Sequence, residues 1–268
     1  MTESSRVVTK PGRDTRWNRL LYGFFRQLVS NSLRLITRGT VEGKEHLPPG
    51  AFVLAPVHRS YIDTPISSWV QVRRLRYLGK DTMWKYEWLG RLFTAMGAIP
   101  VHRGSIDREA LKRCLAALES DQPLVIFPEG ERKDGPVVHP LLDGAAFLAA
   151  KAGVPLVPVG IGGSDKAMPR GAKVVYPHRV HVIVGEPFMV DTNDRGRASR
   201  EQLGAATARR HSEIQRLYDA AQERVSCSTR RGPRPDAAGR RPRRVRAPSA
   251  STAGARPPPR CRSRVALR

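Results

Sequence analysis

Residues 57–65 have the sequence Val57-His58-Arg59-Ser60-Tyr61-Ile62-Asp63-Thr64-Pro65. They follow an apolar run over residues 51–55, which is typical of a short buried strand. Pro56 predicts the end of that strand, because proline cannot donate a hydrogen bond to a neighbouring strand. The spacing then predicts a tight turn that leads into a helix near Asp63, since proline is tolerated in the first helical turn.

The turn carries a histidine and, five residues later, an aspartate. Asp63 can fold back and accept a hydrogen bond from one ring nitrogen of His58, which leaves the other nitrogen as a general base. Taken alone, these residues favour the alternative of a structural histidine beside an aspartate that only caps a helix, because both features are common. The choice between the two interpretations depends on the rest of the chain.

Apolar runs and helical patterns alternate after this turn. Strands are predicted over residues 75–79, 98–101, 124–127, 156–161 and 180–184, and helices over residues 64–72, 83–96, 106–118, 141–152 and 200–224. Residues 41–48 are predicted to be a connector. Strands that alternate with helices of this length predict an α/β fold, with a mostly parallel sheet flanked by helices.

The N-terminal part of the chain predicts an amphipathic helical segment. Apolar residues recur at helical spacing from Trp17 to Ile36, with arginines interspersed. Such a helix can lie in the headgroup plane of a membrane, or it can pack on the core of its own domain. We therefore divide the chain into a membrane-associating segment (1–39), a central domain (40–225) and a tail (226–268).

The 268 residues carry a formal charge of +23, and this charge is spread unevenly. The tail holds 13 Arg and one acidic residue, a net +12, which leaves +11 for residues 1–225. The excess favours anionic partners, and the composition of the tail predicts disorder. Three cysteines without a pattern suggest neither a disulfide framework nor a metal site. With no signal peptide and no apolar run of about 18 residues, we expect a cytoplasmic protein on the inner face of the cell membrane.

Three further motifs follow the His–Asp turn in order, at residues 97–104, 127–132 and 154–159. Together the four resemble the glycerolipid acyltransferase family, whose type is 1-acylglycerol-3-phosphate acyltransferase. The family has a His-x4-Asp motif, a block ending in Arg, an FPEG-x-R block and a VP-φ-VP block. The resemblance covers residues 40–190, so residues 40–225 are interpreted as an acyltransferase domain.

The resemblance implies transfer of an acyl group from coenzyme A or acyl carrier protein to the hydroxyl of a lysophospholipid acceptor, lysophosphatidate. No metal or other cofactor is implied, and the expected partner surface is an anionic membrane. His58 would remove the hydroxyl proton and Asp63 would orient it. The implied substrate-binding residues are Arg103, Glu129, Gly130 and Arg132.

These residues follow predicted strands, and ligands of open α/β sheets bind beyond the carboxyl ends of strands. Arginine suits a phosphate because its planar donors bind two oxygens at once. The Gly130 N–H is a candidate donor to the tetrahedral oxyanion. Alternatively, Arg103 is a solvated loop charge, and Arg132 pairs with Asp134 or Glu131. His102 is expected to be a surface imidazole.

Three departures from the family pattern leave the reaction class intact and the acceptor open. Val57 stands where the family often has Asn, Glu131 where it usually has Thr, and Asp143 precedes Gly144 where a basic residue is common. Another lysolipid or a polar acceptor is the alternative. A basic nucleic-acid-binding protein is the competing class, but the chain shows no recognised nucleic-acid module, and no specific nucleic acid is expected.

Overall fold

The structure, a computed structural model, describes residues 16–102, 107–193 and 198–230. The strands within these ranges are β1 (Thr40–Glu42), β2 (Val53–Pro56), β3 (Arg76–Lys80), β4 (Ala98–Val101), β5 (Leu124–Val125), β6 (Leu156–Gly162) and β7 (His181–Val184). The helices are α1 (Arg16–Ile36), α2 (Asp63–Ser67), α3 (Glu87–Ala95), α4 (Arg108–Glu119), α5 (Gly144–Ala152), α6 (Ser164–Ala167) and α7 (Arg200–Arg230). Short 3₁₀ helices span Lys44–His46 and Asp81–Trp84.

The strands form one mostly parallel sheet in the order β1-β7-β6-β2-β5-β3-β4, which confirms the predicted fold class. The pairs β6–β2, β2–β5, β5–β3 and β3–β4 are parallel, whereas β7 runs antiparallel to β6. Val53 of β2 lies opposite Leu124 on one side and Leu156 on the other. The carboxyl ends of β6, β2, β5, β3 and β4 therefore lie on the same edge of the sheet.

The connections divide the helices into two layers. The chain steps from β2 through α2 and α3 to β3 and β4, then returns through α4 and α5 to β5 and β6. Right-handed crossovers place these two sets of helices on opposite faces. In agreement, α1 contacts α2 and α3, while α5 contacts α4 and α7. The neighbours β2 and β5 are thus followed by helices on opposite faces, which makes their carboxyl ends the topological switch point where α/β proteins bind ligands.

The core is centred on β2, where Val53, Leu54 and Ala55 are fully buried, as is Phe52 immediately before the strand. A continuous apolar run is expected in a parallel strand that is covered on both faces. On β6, a Cβ added at Gly160 would strike the backbone of α7, which shows how closely that helix approaches the sheet. The core therefore fixes β2, and with it the start of the His58 turn.

Helix α1 packs on the domain through one side and exposes the other. Arg26 donates hydrogen bonds to the carbonyls of Ser68 (3.0 Å) and Gln71 (2.7 Å), and the Trp69 indole donates to the Ser30 carbonyl (3.1 Å). The exposed apolar residues of the helix are Leu20, Phe24, Leu28 and Leu35 on the opposite side and Val29 and Ile36 at its flank. Among the described residues, no helix has the length and apolar character needed to cross a bilayer.

Several predicted boundaries were wrong, because tertiary contacts override local pattern. The predicted connector 41–48 contributes β1, which pairs with β7, and a 3₁₀ turn. The helix predicted over 64–72 ends at Ser67. The helix predicted over 83–96 divides, because the Trp84 side chain fills the space beside Gly90 and donates to the Thr94 hydroxyl (3.0 Å).

The two ends of the chain give different outcomes. Helix α7 continues to Arg230, beyond the predicted end at residue 224 and into the predicted tail, since Val225 remains buried on its inner side. Residues 1–15 and 231–268, including most of the segment predicted to be disordered, lie outside the described residues. The proposed division at residues 39 and 225 stays a prediction.

Candidate active site

The site begins in the turn that follows β2. The Val57 N–H still donates to the Val159 carbonyl of β6 (3.1 Å), so His58 is the first residue beyond the sheet. The Asp63 side chain folds back, and its Oδ2 accepts the N–H groups of Arg59 and Ser60, both at 2.6 Å. These bonds shape the turn and fix the position of a fully buried carboxylate.

The predicted hydrogen bond between His58 and Asp63 is present. His58 Nδ1 lies 3.0 Å from Asp63 Oδ2. Two backbone donors already make Oδ2 an acceptor, so Nδ1 carries the proton and Nε2 keeps its lone pair. The imidazole stacks on Phe127 with 3.9 Å between ring centroids, and 13% of the His58 side chain is exposed. The turn therefore holds an oriented, partly accessible base.

Glu129 lies beneath this turn rather than in an open pocket. Its Oε2 accepts the His58 N–H (3.2 Å) and an Arg59 Nη1–H (2.7 Å), and its Oε1 accepts the His139 N–H (2.9 Å). The residue is only 5% exposed. The prediction that Glu129 contacts substrate needs correction, because protein donors occupy both carboxylate oxygens. We assign it to positioning His58.

Sequence reasoning missed Arg59, the cation that accompanies Glu129. Arg59 is 3% exposed, and it donates to the carbonyls of His58 (3.1 Å), Gly135 (3.2 Å) and Val137 (3.0 Å) in addition to its ion pair. It thereby ties the His58 turn to residues 135–139. The sequence did contain a signal for this pair. Glu129 follows a buried strand, and a buried acidic residue needs a cation as its partner. Arg59, next to the predicted base, was a candidate for that cation.

Gly130 has a structural role that differs from the predicted one. Its N–H, a candidate donor to the oxyanion, instead donates to the Phe127 carbonyl (3.0 Å) and closes the turn over residues 127–130. The φ of Gly130 is +74°, and an added Cβ would approach Leu142 Cδ1 to 2.8 Å. The positive φ is what favours glycine here, and the predicted contacts of Gly130 with substrate and with an oxyanion stay predictions.

Arg132 lies over the ring of Tyr61. Its guanidinium carbon is 3.4 Å from the ring centroid. Of the two acids considered as partners, Asp134 pairs with Arg170 (2.8 Å), and Glu131 contacts Lys133 Nζ (2.7 Å). The residue is thus held by an aromatic face, on a turn that follows β5 at the switch point.

The remaining predicted cation, Arg103, lies outside the described residues. The strand before it, β4, ends at Val101 on the same sheet edge. The neighbouring His102 is exposed, as expected, and its Nδ1 is 2.6 Å from Asp81 Oδ2. The hydrogen bond from His102 lowers the pKa of Asp81. Among the described residues, no group of three or more His, Cys, Asp or Glu side chains is arranged to hold a metal ion.

The fold and the site together define a mostly parallel α/β domain with an oriented histidine at its switch point. The acyltransferase family model matches residues 38–162, the stretch that contains all four sequence motifs. This match covers 125 of the 268 residues, and over this stretch the chain is similar to the acyltransferase family.

Two curated relatives show the same likeness. A chloroplastic 1-acyl-sn-glycerol-3-phosphate acyltransferase of Brassica napus is 29% identical over 182 residues, covering 65% of this chain and 52% of the relative. A chloroplastic enzyme of the same name from Arabidopsis thaliana is 30% identical over 158 residues, covering 55% and 43%. The chain thus spans about half the length of the curated relatives it matches.

The crystal structure of the 1-acyl-sn-glycerophosphate acyltransferase of Thermotoga maritima shares the fold. It superposes with a TM-score of 0.55 at 20% identity, and the match covers 81% of this chain and 98% of that one. At this identity the likeness concerns the fold alone.

Proposed function

We propose that this protein transfers a fatty acyl group from a thioester, on coenzyme A or acyl carrier protein, to the free hydroxyl of 1-acylglycerol 3-phosphate, giving phosphatidic acid. The observation that carries the proposal is the His58–Asp63 pair, held at the switch point within the stretch that matches the acyltransferase family. The names of the relatives, both 1-acyl-sn-glycerol-3-phosphate acyltransferases, support the choice of acceptor.

The chemistry follows from the orientation of His58. Its Nε2 takes the hydroxyl proton while the hydroxyl oxygen bonds to the thioester carbonyl carbon. The tetrahedral intermediate then collapses, the C–S bond breaks, and the thiolate leaves with the proton returned by His58. Asp63 stabilises the imidazolium between the two steps. No serine or cysteine nucleophile is needed, because the thioester is already activated.

Arg132 is proposed to hold the acceptor phosphate together with Arg103. The Arg132 guanidinium carbon lies 3.4 Å from the Tyr61 ring centroid, and a guanidinium that rests on a ring by its face keeps its N–H donors available at its edges. Planar donors of this kind bind two phosphate oxygens at once. The acceptor would then be held by its phosphate while His58 reaches its hydroxyl.

The direct test measures acyl transfer by the purified protein with an acyl-CoA and with an acyl carrier protein as donor. The acceptors are lysophosphatidate, a second lysophospholipid and a monoacylglycerol. We expect preference for lysophosphatidate. Arg132→Ala should raise the KM for lysophosphatidate roughly ten- to a hundredfold, since a charge-assisted hydrogen bond is lost, and leave the donor KM unchanged.

Arg170→Ala is the matched control, because Arg170 is an exposed arginine paired with Asp134. A change in donor KM instead of acceptor KM would reverse the assignment of the pocket. Preference of the wild-type protein for another acceptor would favour the alternative lysolipid or polar substrate.

We also propose that the exposed side of α1 docks on an anionic membrane. The apolar side chains of Leu20, Phe24 and Leu28 share this side. Helix α1 also contacts α3, at whose N-terminal end Tyr86 and Trp88 are exposed. An apolar helix face with aromatic neighbours suits the boundary between headgroups and acyl chains. The position would bring a membrane-bound acceptor to the domain that carries His58.

Vesicle co-sedimentation tests this docking. Phe24→Asp with Leu28→Asp should release the protein from vesicles that contain anionic lipid, at a salt concentration high enough to screen charge attraction. The control is Val174→Asp with Met189→Asp, because these side chains are similarly exposed (58% and 54%, against 63% and 53%) outside α1. Equal release of both variants would argue against a specific role for α1.

A further inference from the structure

We propose that Tyr61 is a positioning residue for the acceptor phosphate: its ring holds the Arg132 guanidinium so that the N–H donors of that group are presented to the ligand. This inference rests on the proposed function, because it assumes that Arg132 binds the acceptor. It assigns a role to a side chain inside the His-x4-Asp motif that lies between the base and its orienting acid.

The stacking geometry supports this role. The separation of 3.4 Å between the guanidinium carbon and the ring centroid is van der Waals contact between two flat groups. A stacked guanidinium keeps its five N–H donors at its edges, where a planar, bidentate contact to phosphate forms. Among the described residues, no hydrogen bond or ion pair engages the Arg132 guanidinium, so the Tyr61 ring is what orients it there.

The ring is exposed, yet its backbone is clamped. The tyrosine is 58% exposed, whereas Ser60 and Ile62 on either side are buried. The Ser60 N–H donates to Asp63 Oδ2 (2.6 Å), and the Ser60 hydroxyl donates to the Met168 carbonyl (2.8 Å). Tyr61 is therefore a fixed platform whose side chain is not needed to fill the core.

The backbone next to Arg132 is tied to the same turn. The Lys133 N–H donates to the His58 carbonyl (3.0 Å). Arg132 is thus connected to the catalytic turn twice, through the main chain beside it and through the Tyr61 ring under its side chain. Because His58 and Tyr61 lie three residues apart in one rigid turn, the proton acceptor and the phosphate-binding group keep a fixed separation, which is what a substrate with a hydroxyl near a phosphate requires.

The experiment compares Tyr61→Leu with Tyr61→Phe. Leucine keeps apolar bulk but lacks the aromatic face, whereas phenylalanine keeps the face and loses only the hydroxyl. We expect Tyr61→Leu to raise the KM for lysophosphatidate roughly two- to fivefold, the size of an exposed cation–π contact. The kcat at saturating acceptor, the donor KM and the rate with a monoacylglycerol should not change, and Tyr61→Phe should behave like the wild-type protein.

Two controls separate the outcomes. Tyr176→Leu removes another half-exposed tyrosine and should leave the KM unchanged. In the Arg132→Ala background, Tyr61→Leu should have no further effect, since the partner of the ring is absent. Equal damage by Tyr61→Phe, an effect that persists without Arg132, or an unchanged KM in Tyr61→Leu would each overturn the inference while lysophosphatidate acylation stands. A wild-type protein that does not acylate lysophosphatidate would instead overturn the proposed function.

Discussion

Two His–Asp pairs lie beyond strands on the same edge of the sheet. Both have the same contact, from a histidine Nδ1 to an aspartate Oδ2, but they differ in burial and in the groups around them. His58 Nδ1 and Asp63 Oδ2 are 3.0 Å apart, and His102 Nδ1 and Asp81 Oδ2 are 2.6 Å apart. The exposed fractions of the side chains are 13% and 0% in the first pair and 69% and 38% in the second. By distance alone, the second pair would be the better catalytic candidate.

The difference is in the surroundings of each acid. Asp63 Oδ2 accepts two further backbone N–H groups from the turn, and the His58 ring stacks on Phe127. Among the described backbone donors, only the N–H of the adjacent Thr82 donates to the Asp81 carboxylate. This hydrogen bond and the contact with His102 are both exposed to water. A hydrogen bond from a histidine to a carboxylate therefore does not by itself identify a general base. The better indicator is a buried carboxylate with a fixed position, because it holds the histidine in one tautomer.

The largest expected effect separates the two histidines. His58→Ala should lower the rate of acyl transfer by roughly 10²–10⁴, the contribution of a positioned base, because no other group in the turn can take the proton. His102→Ala should leave the rate within about twofold. Steady-state rates are compared after circular dichroism has shown that both variants are folded. Similar rates for the two variants would remove the functional distinction between the pairs.

The second prediction concerns the ion pair beneath His58. Glu129→Gln leaves Arg59 as an uncompensated buried charge, which should lower the free energy of unfolding by about 3–5 kcal/mol. Asp81→Asn, which breaks an exposed contact, should cost less than about 1 kcal/mol. Urea denaturation measures both values. If Glu129→Gln were as stable as the wild-type protein and failed only in acceptor KM, the original assignment of Glu129 to substrate contact would be restored.

The third prediction concerns the acid of the buried pair and uses Asp63→Asn to separate its charge from its role as a hydrogen-bond acceptor. The backbone donors at Oδ2 should hold the amide oxygen in the same place, so His58 keeps its tautomer and loses only the charge that stabilises its imidazolium. A charge-assisted hydrogen bond is worth about 1.5–3 kcal/mol, which corresponds to a roughly ten- to a hundredfold lower kcat. A loss as large as that of His58→Ala would show that the tautomer had been lost as well.

The smallest effect is a dependence on pH in the exposed pair. The hydrogen bond from His102 lowers the pKa of Asp81 below its ordinary value of 3.8. Its stabilising effect is therefore present above that value and is lost as the pH falls through the lowered pKa. His102→Ala should reduce the free energy of unfolding by no more than about 0.5 kcal/mol near pH 6, with a smaller difference in acid. A larger difference at low pH would contradict this assignment.

The local elements of the site were predictable because they depend on short stretches. The buried run before Pro56, the strand over residues 98–101 and the return of Asp63 to His58 all follow from side-chain size, backbone geometry and spacing. Alternating strands and helices were enough to predict a mostly parallel sheet. The amphipathic pattern of α1 predicted a helix, but it left open which side would pack.

The sequence by itself therefore determined the fold class, the family motifs and the His–Asp turn, since each is encoded within a few neighbouring residues. The tertiary structure alone decided that β1 joins the sheet, that Glu129 and Arg59 form a buried pair, and that Tyr61 lies under Arg132. Those contacts join residues that are 70 or more positions apart, as in the bond from His58 to Glu129 (71 positions) and the contact of Thr40 with His181 (141 positions). These contacts depend on which strands become neighbours in the sheet and on which charged groups are buried as a result. A short stretch of sequence shows neither of these.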